Sequence, residues 1–154
     1  MRLSTKSRYG VRAIFDIAYH SGGLPTQIKE ISRRQGITPR YLEQIFQKLK
    51  RAGIVKSIRG PKGGYYLGRK PESIAVSDVI RAMEESMEPV FCARPSKGRK
   101  KCRKESHCVA QLIWREAGQR ISEYFGSVSI EKLCRMAKEL GIEKQLDHRF
   151  MYFI

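Results

Sequence analysis

The sequence predicts a mainly α-helical chain of the α+β class. Apolar residues recur at helical spacing in several successive segments, and two early helices are separated only by a tight Gly-Ile-Thr connection. Two short β-branched or aromatic runs then flank a Gly-rich basic turn. Two helices joined by a turn and followed by a hairpin form a winged helix-turn-helix. The predicted architecture is therefore a winged helix-turn-helix domain followed by a long C-terminal dimerisation helix.

The first three helices are predicted from spacing and from capping residues. Residues 5–20 carry apolar side chains at helical spacing. Thr26 is expected to cap a second, short helix, which ends at Gly36. Thr38 and Pro39 are expected to begin a third helix, because proline has the φ angle of the first turn and no N–H to leave unpaired.

The third helix has two distinct faces. Its predicted core face comprises Leu42, Ile45, Phe46 and Leu49. Its predicted polar face comprises Arg40, Glu43, Gln44, Gln47 and Arg51. A solvated surface is the simplest interpretation of a polar face, but the basic hairpin that follows favours a recognition helix that enters the major groove of DNA.

Residues 54–58 and 65–67 are predicted to form the two strands of the wing. Arg59, Gly60 and Lys62 lie in the turn between them. An arginine at such a tip can reach a narrow minor groove, where the negative potential of DNA is deepest.

Three further segments follow the wing. Residues 75–86 are predicted to form a helix that Pro89 terminates, and Ser106 is expected to cap a helix that runs to about Phe125. That helix spans roughly 28 Å, which is long enough for a seam between two subunits. Because the winged-helix half closes a small core of its own, a seam is favoured over a core helix of one chain. Residues 129–140 are predicted to form the last helix, and the apolar end 150–154 has no assigned structure. The predicted units are 1–87 for DNA binding, 88–107 for a cysteine-bearing loop, and 108–154 for dimerisation.

The charge distribution indicates a polyanionic partner. The chain has 154 residues with 31 Lys and Arg against 15 Asp and Glu, a formal net charge of +16. Residues 1–71 alone carry +13, from 16 basic and 3 acidic residues. Such concentration favours nucleic acid binding over a generally solvated surface. The sequence contains no apolar run of about 18 residues and no signal-peptide pattern, so we expect a cytoplasmic protein without a membrane segment. No small-molecule substrate is evident from the sequence.

Cys92, Cys102 and Cys108 lie within one short basic stretch, which predicts a metal or iron-sulfur site. Their spacing lacks the paired Cys-x2-Cys units that are common in structural zinc sites, so zinc is the less favoured metal. Cys134 lies on an apolar helix face and is interpreted as a structural cysteine.

Base contacts and phosphate contacts are expected from different residues. Arg40 can donate two hydrogen bonds to guanine, Gln44 can pair with adenine, and Glu43 can accept from cytosine. The complete set of predicted DNA contacts is Lys6, Arg8, Thr38, Arg40, Tyr41, Glu43, Gln44, Lys48, Arg51, Arg59, Gly60 and Lys62.

Several motifs together resemble the IscR-type family of iron-sulfur transcription regulators, which includes NsrR and RirA. The motifs are Met-Arg-Leu-Ser at 1–4, Tyr-Leu-Glu-Gln-Ile at 41–45, Val-Lys-Ser-Ile-Arg-Gly-Pro at 55–61 with Gly-Gly-Tyr at 63–65, Ile-Ala-Val at 74–76, Trp-Arg-Glu at 114–116, and the three cysteines. The resemblance covers residues 1 to about 140. It implies a homodimer that binds a palindromic operator, with one cluster per subunit held by the three cysteines, [2Fe-2S] in preference to [4Fe-4S]. It also implies control of genes for Fe-S cluster assembly and no enzymatic activity.

The sequence departs from this family at the fourth cluster ligand. IscR-type proteins have a histidine three residues after the third cysteine, and that position is Gln111 here. His107, one helical turn away, is the predicted substitute. NsrR uses a carboxylate near its N-terminus, where this sequence has Arg8 and Arg12.

Three alternatives to an Fe-S supply regulator are considered. A nitric-oxide or redox sensor would use the same fold and cluster, and a zinc- or thiol-based regulator would use the same fold without the cluster. An electron carrier or Fe-S enzyme would need the cluster but not a strongly basic winged helix.

Overall fold

The computed structural model describes residues 3–94, 102, 107–146 and 149. The elements in these ranges are, in order, α1 (Thr5–His20), α2 (Ile28–Gln35), α3 (Pro39–Arg51), β1 (Val55–Ile58), β2 (Gly64–Leu67), α4 (Val76–Ala82), α5 (Val109–Ser127) and α6 (Ile130–Glu139). Short 3₁₀ turns lie at Pro71–Ser73 and Phe91–Ala93. The predicted α+β winged-helix class is confirmed. No helix in the described ranges is both long enough and apolar enough to cross a membrane.

The predicted starts of the first three helices are correct except for one cap. Thr26 does not cap α2, because its backbone exchanges two hydrogen bonds of 2.8 Å with Tyr65 of β2. This bridge holds Thr26 in an extended conformation, and Gln27 occupies the cap position. Thr38 precedes Pro39 at the start of α3 as predicted, although its side chain makes no capping hydrogen bond.

The helix predicted at 75–86 is shorter in the structure and ends at Ala82, well before Pro89. Its end is a Schellman motif, in which Glu84 N–H donates to Arg81 O and Glu85 N–H donates to Ile80 O. Glu84 has a φ of 59°, the left-handed conformation that glycine usually supplies at this position. Because residue 84 is glutamate and not glycine, the residue types do not indicate that the helix ends here.

The helix predicted to be capped by Ser106 begins later. α5 starts at Val109 with Cys108 in the cap position and ends at Ser127. The last helix agrees with the prediction, because Ser129 caps α6 by accepting a 3.1 Å hydrogen bond from Lys132 N–H.

One apolar core holds the first four helices and the hairpin together, and α6 joins it through the fully buried Ile130. Backbone hydrogen bonds of 2.9 Å, from Val76 N–H to Val128 O and from Ile130 N–H to Ile74 O, fix the end of α5 beside the start of α4. We call α1–α4, the hairpin and α6 the winged-helix head. The unit boundaries proposed from the sequence stay a prediction, and the packing adds that α6 belongs to the head.

A buried ion pair links α1 to α2. The side chains of Asp16 and Arg34 are 0% and 3% exposed, and Arg34 Nη2 lies 2.7 Å from Asp16 Oδ1. Arg34 Nε and Gln35 Nε2 also donate to the same carboxylate. All of these donors bond to the buried carboxylate of Asp16, so α2, the first helix of the helix-turn-helix, has a fixed position on α1.

Candidate nucleic-acid interface and cysteine site

Helix α3 presents its polar face to solvent because its apolar face is fully buried. Leu42, Ile45, Phe46 and Leu49 are at most 1% exposed. The side chains on the opposite face, all exposed, are Arg40, Glu43, Gln44, Gln47 and Arg51. This is the arrangement of a helix that can enter a DNA groove while its other side anchors it to the head.

A basic groove runs between α3 and the start of α1. The polar side chains that line it are Lys6, Tyr41, Gln44, Gln47, Lys48 and Arg51. Tyr41 is held by an edge-to-face contact with Tyr9, with ring centroids 5.8 Å apart. Three cations from two helices thus converge beside the face of α3 that carries the predicted base contacts. Arg8, two residues after Lys6 in α1, is exposed and donates to Thr5 Oγ1.

Two acidic residues after α4 contact this surface, and sequence reasoning missed both. The carboxylate of Glu84 accepts a hydrogen bond from Lys48, which lowers the pKa of Glu84. Glu85 accepts from Ser4 N–H at 2.6 Å, from Ser4 Oγ at 2.7 Å and from Ser7 Oγ. Burial of Glu85 opposes its ionisation, but the hydrogen bonds from Ser7 and Ser4 outweigh burial and its pKa is lowered. The loop that leads toward Cys92 is thereby bonded to both α1 and α3.

The wing presents its basic residues at an exposed turn. β1 and β2 pair antiparallel with Ile58 opposite Gly64. A Cβ on Gly63 would lie 2.3 Å from Ile58 O, and one on Gly64 would lie 2.5 Å from Thr26 O, so both positions require glycine. Arg59, Gly60 and Lys62 are exposed at the turn.

The two ends of the cysteine-bearing stretch meet at the start of α5. Cys92 lies in the 3₁₀ turn Phe91–Ala93, and Cys108 occupies the cap position of α5. Gln111, only 4% exposed, donates from Nε2 to Cys92 O at 2.7 Å. The residue at the family's histidine position therefore holds the Cys92 turn against the first turn of α5.

The other two predicted ligands, Cys102 and His107, lie between Cys92 and Cys108 in the sequence. Cys102 is partly buried, and His107 is exposed immediately before Cys108. All four cysteines are free thiols. In the ranges that the structure covers, no group of three or more His, Cys, Asp or Glu side chains is arranged to hold a metal ion. Ser106 and the basic residues of 95–101 and 103–104 lie outside the described residues, as does the apolar end 150–154.

Cys134 lies apart from this site. It packs against the core of the head, and burial raises the pKa of its thiol. A raised pKa keeps the sulfur protonated, which agrees with the structural interpretation of this cysteine.

Helix α5 leaves an apolar face uncovered. Gln111 and Gly118 face the rest of the chain and are buried. On the opposite side Val109, Leu112 and Ile113 are 75%, 63% and 61% exposed. Tyr124, 63% exposed, lies farther along the same side. A stripe of large exposed apolar side chains on one helix is typical of a surface that another chain covers.

The winged-helix head, with a recognition helix beside a basic groove and a basic wing, defines a DNA-binding transcription regulator rather than an enzyme. Residues 3–136 match the Rrf2 family model, described as an iron-dependent transcriptional regulator. The chain belongs to the Rrf2 family.

Relatives and solved structures agree with this assignment. The chain is 40% identical over 147 residues to the HTH-type transcriptional regulator IscR of Xenorhabdus nematophila, covering 96% of this chain and 87% of that protein. It is 43% identical over 133 residues to the IscR of Aliivibrio salmonicida, covering 86% and 77%. The structure of T. potens IscR matches with a TM-score of 0.74 and 33% identity, covering 99% and 97%. That of CymR, the global cysteine regulator of B. subtilis, matches with a TM-score of 0.70 and 32% identity, covering 88% and 98%.

Proposed function

We propose that this regulator binds a palindromic operator as a homodimer and that an iron-sulfur cluster on Cys92, Cys102 and Cys108 sets its affinity for DNA. It thereby adjusts the genes of Fe-S cluster assembly to cluster supply. The observation that carries the proposal is the hydrogen bond from Gln111 to Cys92 O. This bond joins the Cys92 turn to the first turn of α5, the helix that Cys108 precedes and that has the exposed apolar stripe.

The donor set fits an iron-sulfur cluster. Three free thiols of one short stretch are present, and thiolate sulfur is the usual ligand of such clusters. Gln111 is bound to backbone, which leaves His107 as the fourth ligand that we propose. We favour [2Fe-2S], one cluster per subunit, and a cytoplasmic location. A bound cluster would supply a covalent link among the three cysteine positions that is lost under iron limitation or oxidation.

The absorption spectrum of anaerobically purified protein tests the cluster. We expect visible charge-transfer bands that Ala substitution of Cys92, Cys102 or Cys108 abolishes, whereas Cys134→Ala is the matched control and leaves them intact. His107→Ala should shift the bands. An unchanged absorption spectrum in His107→Ala would refute His107 as the fourth ligand. A colourless protein would support the zinc-based alternative if it contains stoichiometric zinc, and the thiol-based alternative if it contains none.

Nitric oxide and redox potential are the competing signals for the same site. A cluster that survives iron chelation but reacts at once with nitric oxide, with loss of operator binding, would favour the nitric-oxide sensor. Loss of the visible bands under iron limitation, followed by altered operator binding, is the outcome expected for a supply sensor.

The exposed stripe on α5 is the proposed dimer seam. Ile113→Asp places a charge in that seam and should convert the dimer to a monomer by sedimentation velocity. Leu140→Asp is a matched control, because Leu140 is 76% exposed and lies after α6. A dimer that survives Ile113→Asp would refute the assignment of α5.

DNA recognition is assigned to α3 and the wing. Arg40, Glu43 and Gln44 would contact bases in the major groove, with Arg59 in the minor groove and Thr38 and Gly60 beside them. Phosphate contacts are assigned to Lys6, Arg8, Tyr41, Lys48, Arg51 and Lys62. Arg59→Ala should weaken operator binding by roughly 1 to 3 kcal/mol. Lys138→Ala, an exposed cation on α6, is the control, and equal effects of the two substitutions would refute the wing contact.

A further inference from the structure

The segment that follows α6 packs against the end of α1. Tyr19 donates its hydroxyl proton to Ile142 O at 2.6 Å. Farther along, Gln145 N–H donates to Nδ1 of His20 at 3.0 Å. Both Tyr19 and His20 are at most 5% exposed, so the segment is attached to side chains that belong to the core of the head.

Beyond this attachment, the side chain of Arg149 contacts the wing. Its Nη1 donates to Pro61 O at 3.1 Å and to Gly63 O at 3.0 Å. Its Nη2 donates to Pro25 O at 3.1 Å, at the loop between α1 and α2. One guanidinium thus bonds two carbonyls of the wing turn and one carbonyl of the α1–α2 loop, a geometry that its planar fork of donors suits.

The wing turn needs these bonds. Gly63 is buried, and a buried carbonyl without a donor is costly. Pro61 O has a second donor in Gln27, whose Nε2 lies at the long distance of 3.5 Å. The charged donor of Arg149 gives shorter and stronger bonds than this amide can.

We infer that Arg149 is a positioning residue for DNA binding, which fixes the wing turn against the α1–α2 loop so that Arg59 is presented to DNA in one orientation. The inference rests on the proposed role of Arg59 in the minor groove. Arg59 lies two residues before Pro61, so its backbone is continuous with the two carbonyls, Pro61 O and Gly63 O, that Arg149 binds. We call these bonds of Arg149 the clamp. A wing that is already ordered loses less entropy when it binds.

The test uses the full chain, purified anaerobically, and a duplex that the wild-type protein selects from a random pool. We expect Arg149→Ala to raise Kd about tenfold, equivalent to about 1.4 kcal/mol. Arg149→Lys should be nearly as weak, because a lysine keeps the charge but not the fork. Lys144→Ala, a cation of the same segment that lies over the Tyr19 ring, is the matched control and should bind normally.

Two readouts separate the clamp from a direct DNA contact. Arg149→Ala should lower the salt dependence of Kd no further than Arg59→Ala does, because Arg149 itself neutralises no phosphate. The double variant with Arg59→Ala should bind no more weakly than Arg59→Ala alone, because Arg149 acts through Arg59. A salt slope lower than that of Arg59→Ala, additive losses, or full affinity in Arg149→Lys would overturn the inference.

Hydrogen exchange in the free protein tests the clamp without DNA. Amides of Gly60 and of residues 62–66 should exchange faster in Arg149→Ala than in the wild type, and not in Arg59→Ala. Unchanged exchange in Arg149→Ala would overturn the clamp. If exchange quickens but Arg59→Ala binds DNA normally, the proposed minor-groove contact fails, and with it the role of Arg149 in presenting Arg59.

Discussion

Replacing Asp16 with alanine should destabilise the head strongly. The substitution leaves the guanidinium of Arg34 without its carboxylate at a site where the arginine side chain is only 3% exposed. Breaking a buried pair by removing one partner costs about 3 to 5 kcal/mol. For a chain of this size each kcal/mol lowers Tm by about 2 to 4 °C, so we expect a loss of roughly 6 to 20 °C.

Thermal unfolding followed by far-UV circular dichroism, at one fixed protein concentration, measures this loss. Arg135→Ala is the matched control: it also breaks an ion pair, of 3.8 Å with Glu131 on α6, but those side chains are 57% and 43% exposed. Exposed helix pairs contribute only about 0.3 to 0.5 kcal/mol, so Tm should change little. Equal shifts in the two variants would refute the argument from burial. The double variant Asp16→Leu with Arg34→Met should recover much of the loss, because it leaves no unpaired charge.

Three further predictions concern pH, the cysteine site and DNA specificity. Burial outweighs the attraction of Asp16 and lowers the pKa of His20, so the unfolded chain takes up the proton first and stability should fall as pH falls below about 6.5. Tm between pH 7.5 and 5.5 measures this fall, and an equal slope in His20→Asn would contradict it. Gln111→Ala leaves the Cys92 carbonyl unpaired at a cost of about 1 to 3 kcal/mol, so amides of residues 90–94 should exchange faster in the metal-free protein. Their unchanged exchange would show that the bond does not hold the turn. Glu43→Ala should broaden the sequences selected from a random duplex pool, whereas a uniform loss of binding would show an attractive contact instead.

Much of the head could be predicted from the sequence because its signals are local. Helical spacing gave the start and end of α1, and Thr38 with Pro39 gave the start of α3. The wing followed from two strand-forming runs around glycines that the close backbone approach at Gly63 requires. Each of these features depends on residues within a few positions of one another.

The features that could not be predicted from the sequence depend on contacts between distant residues or on an unusual backbone conformation. Thr26 looked like a cap, but its partner is Tyr65, 39 residues later in the chain. Glu84 has a backbone conformation that glycine normally marks, so nothing in the sequence indicated the end of α4 there. The family resemblance showed that Gln111 stands where a histidine ligand is expected. Its hydrogen bond to Cys92 O, 19 residues earlier in the chain, could not be predicted from the sequence.

The chain leaves the winged-helix head after α4 and returns to it at α6. Met87 and Val128 belong to one buried apolar cluster, so the chain leaves the head and re-enters it at neighbouring points. The cysteine stretch and α5 therefore form an insertion within the DNA-binding unit. A segment whose ends are close can be lengthened or shortened with little effect on the host core, provided that Ile121 and Phe125 of α5, which pack against this cluster, are kept. The same head could thus accept a different sensory insertion, whereas truncation after residue 87 would remove Ile130 and expose the core it fills.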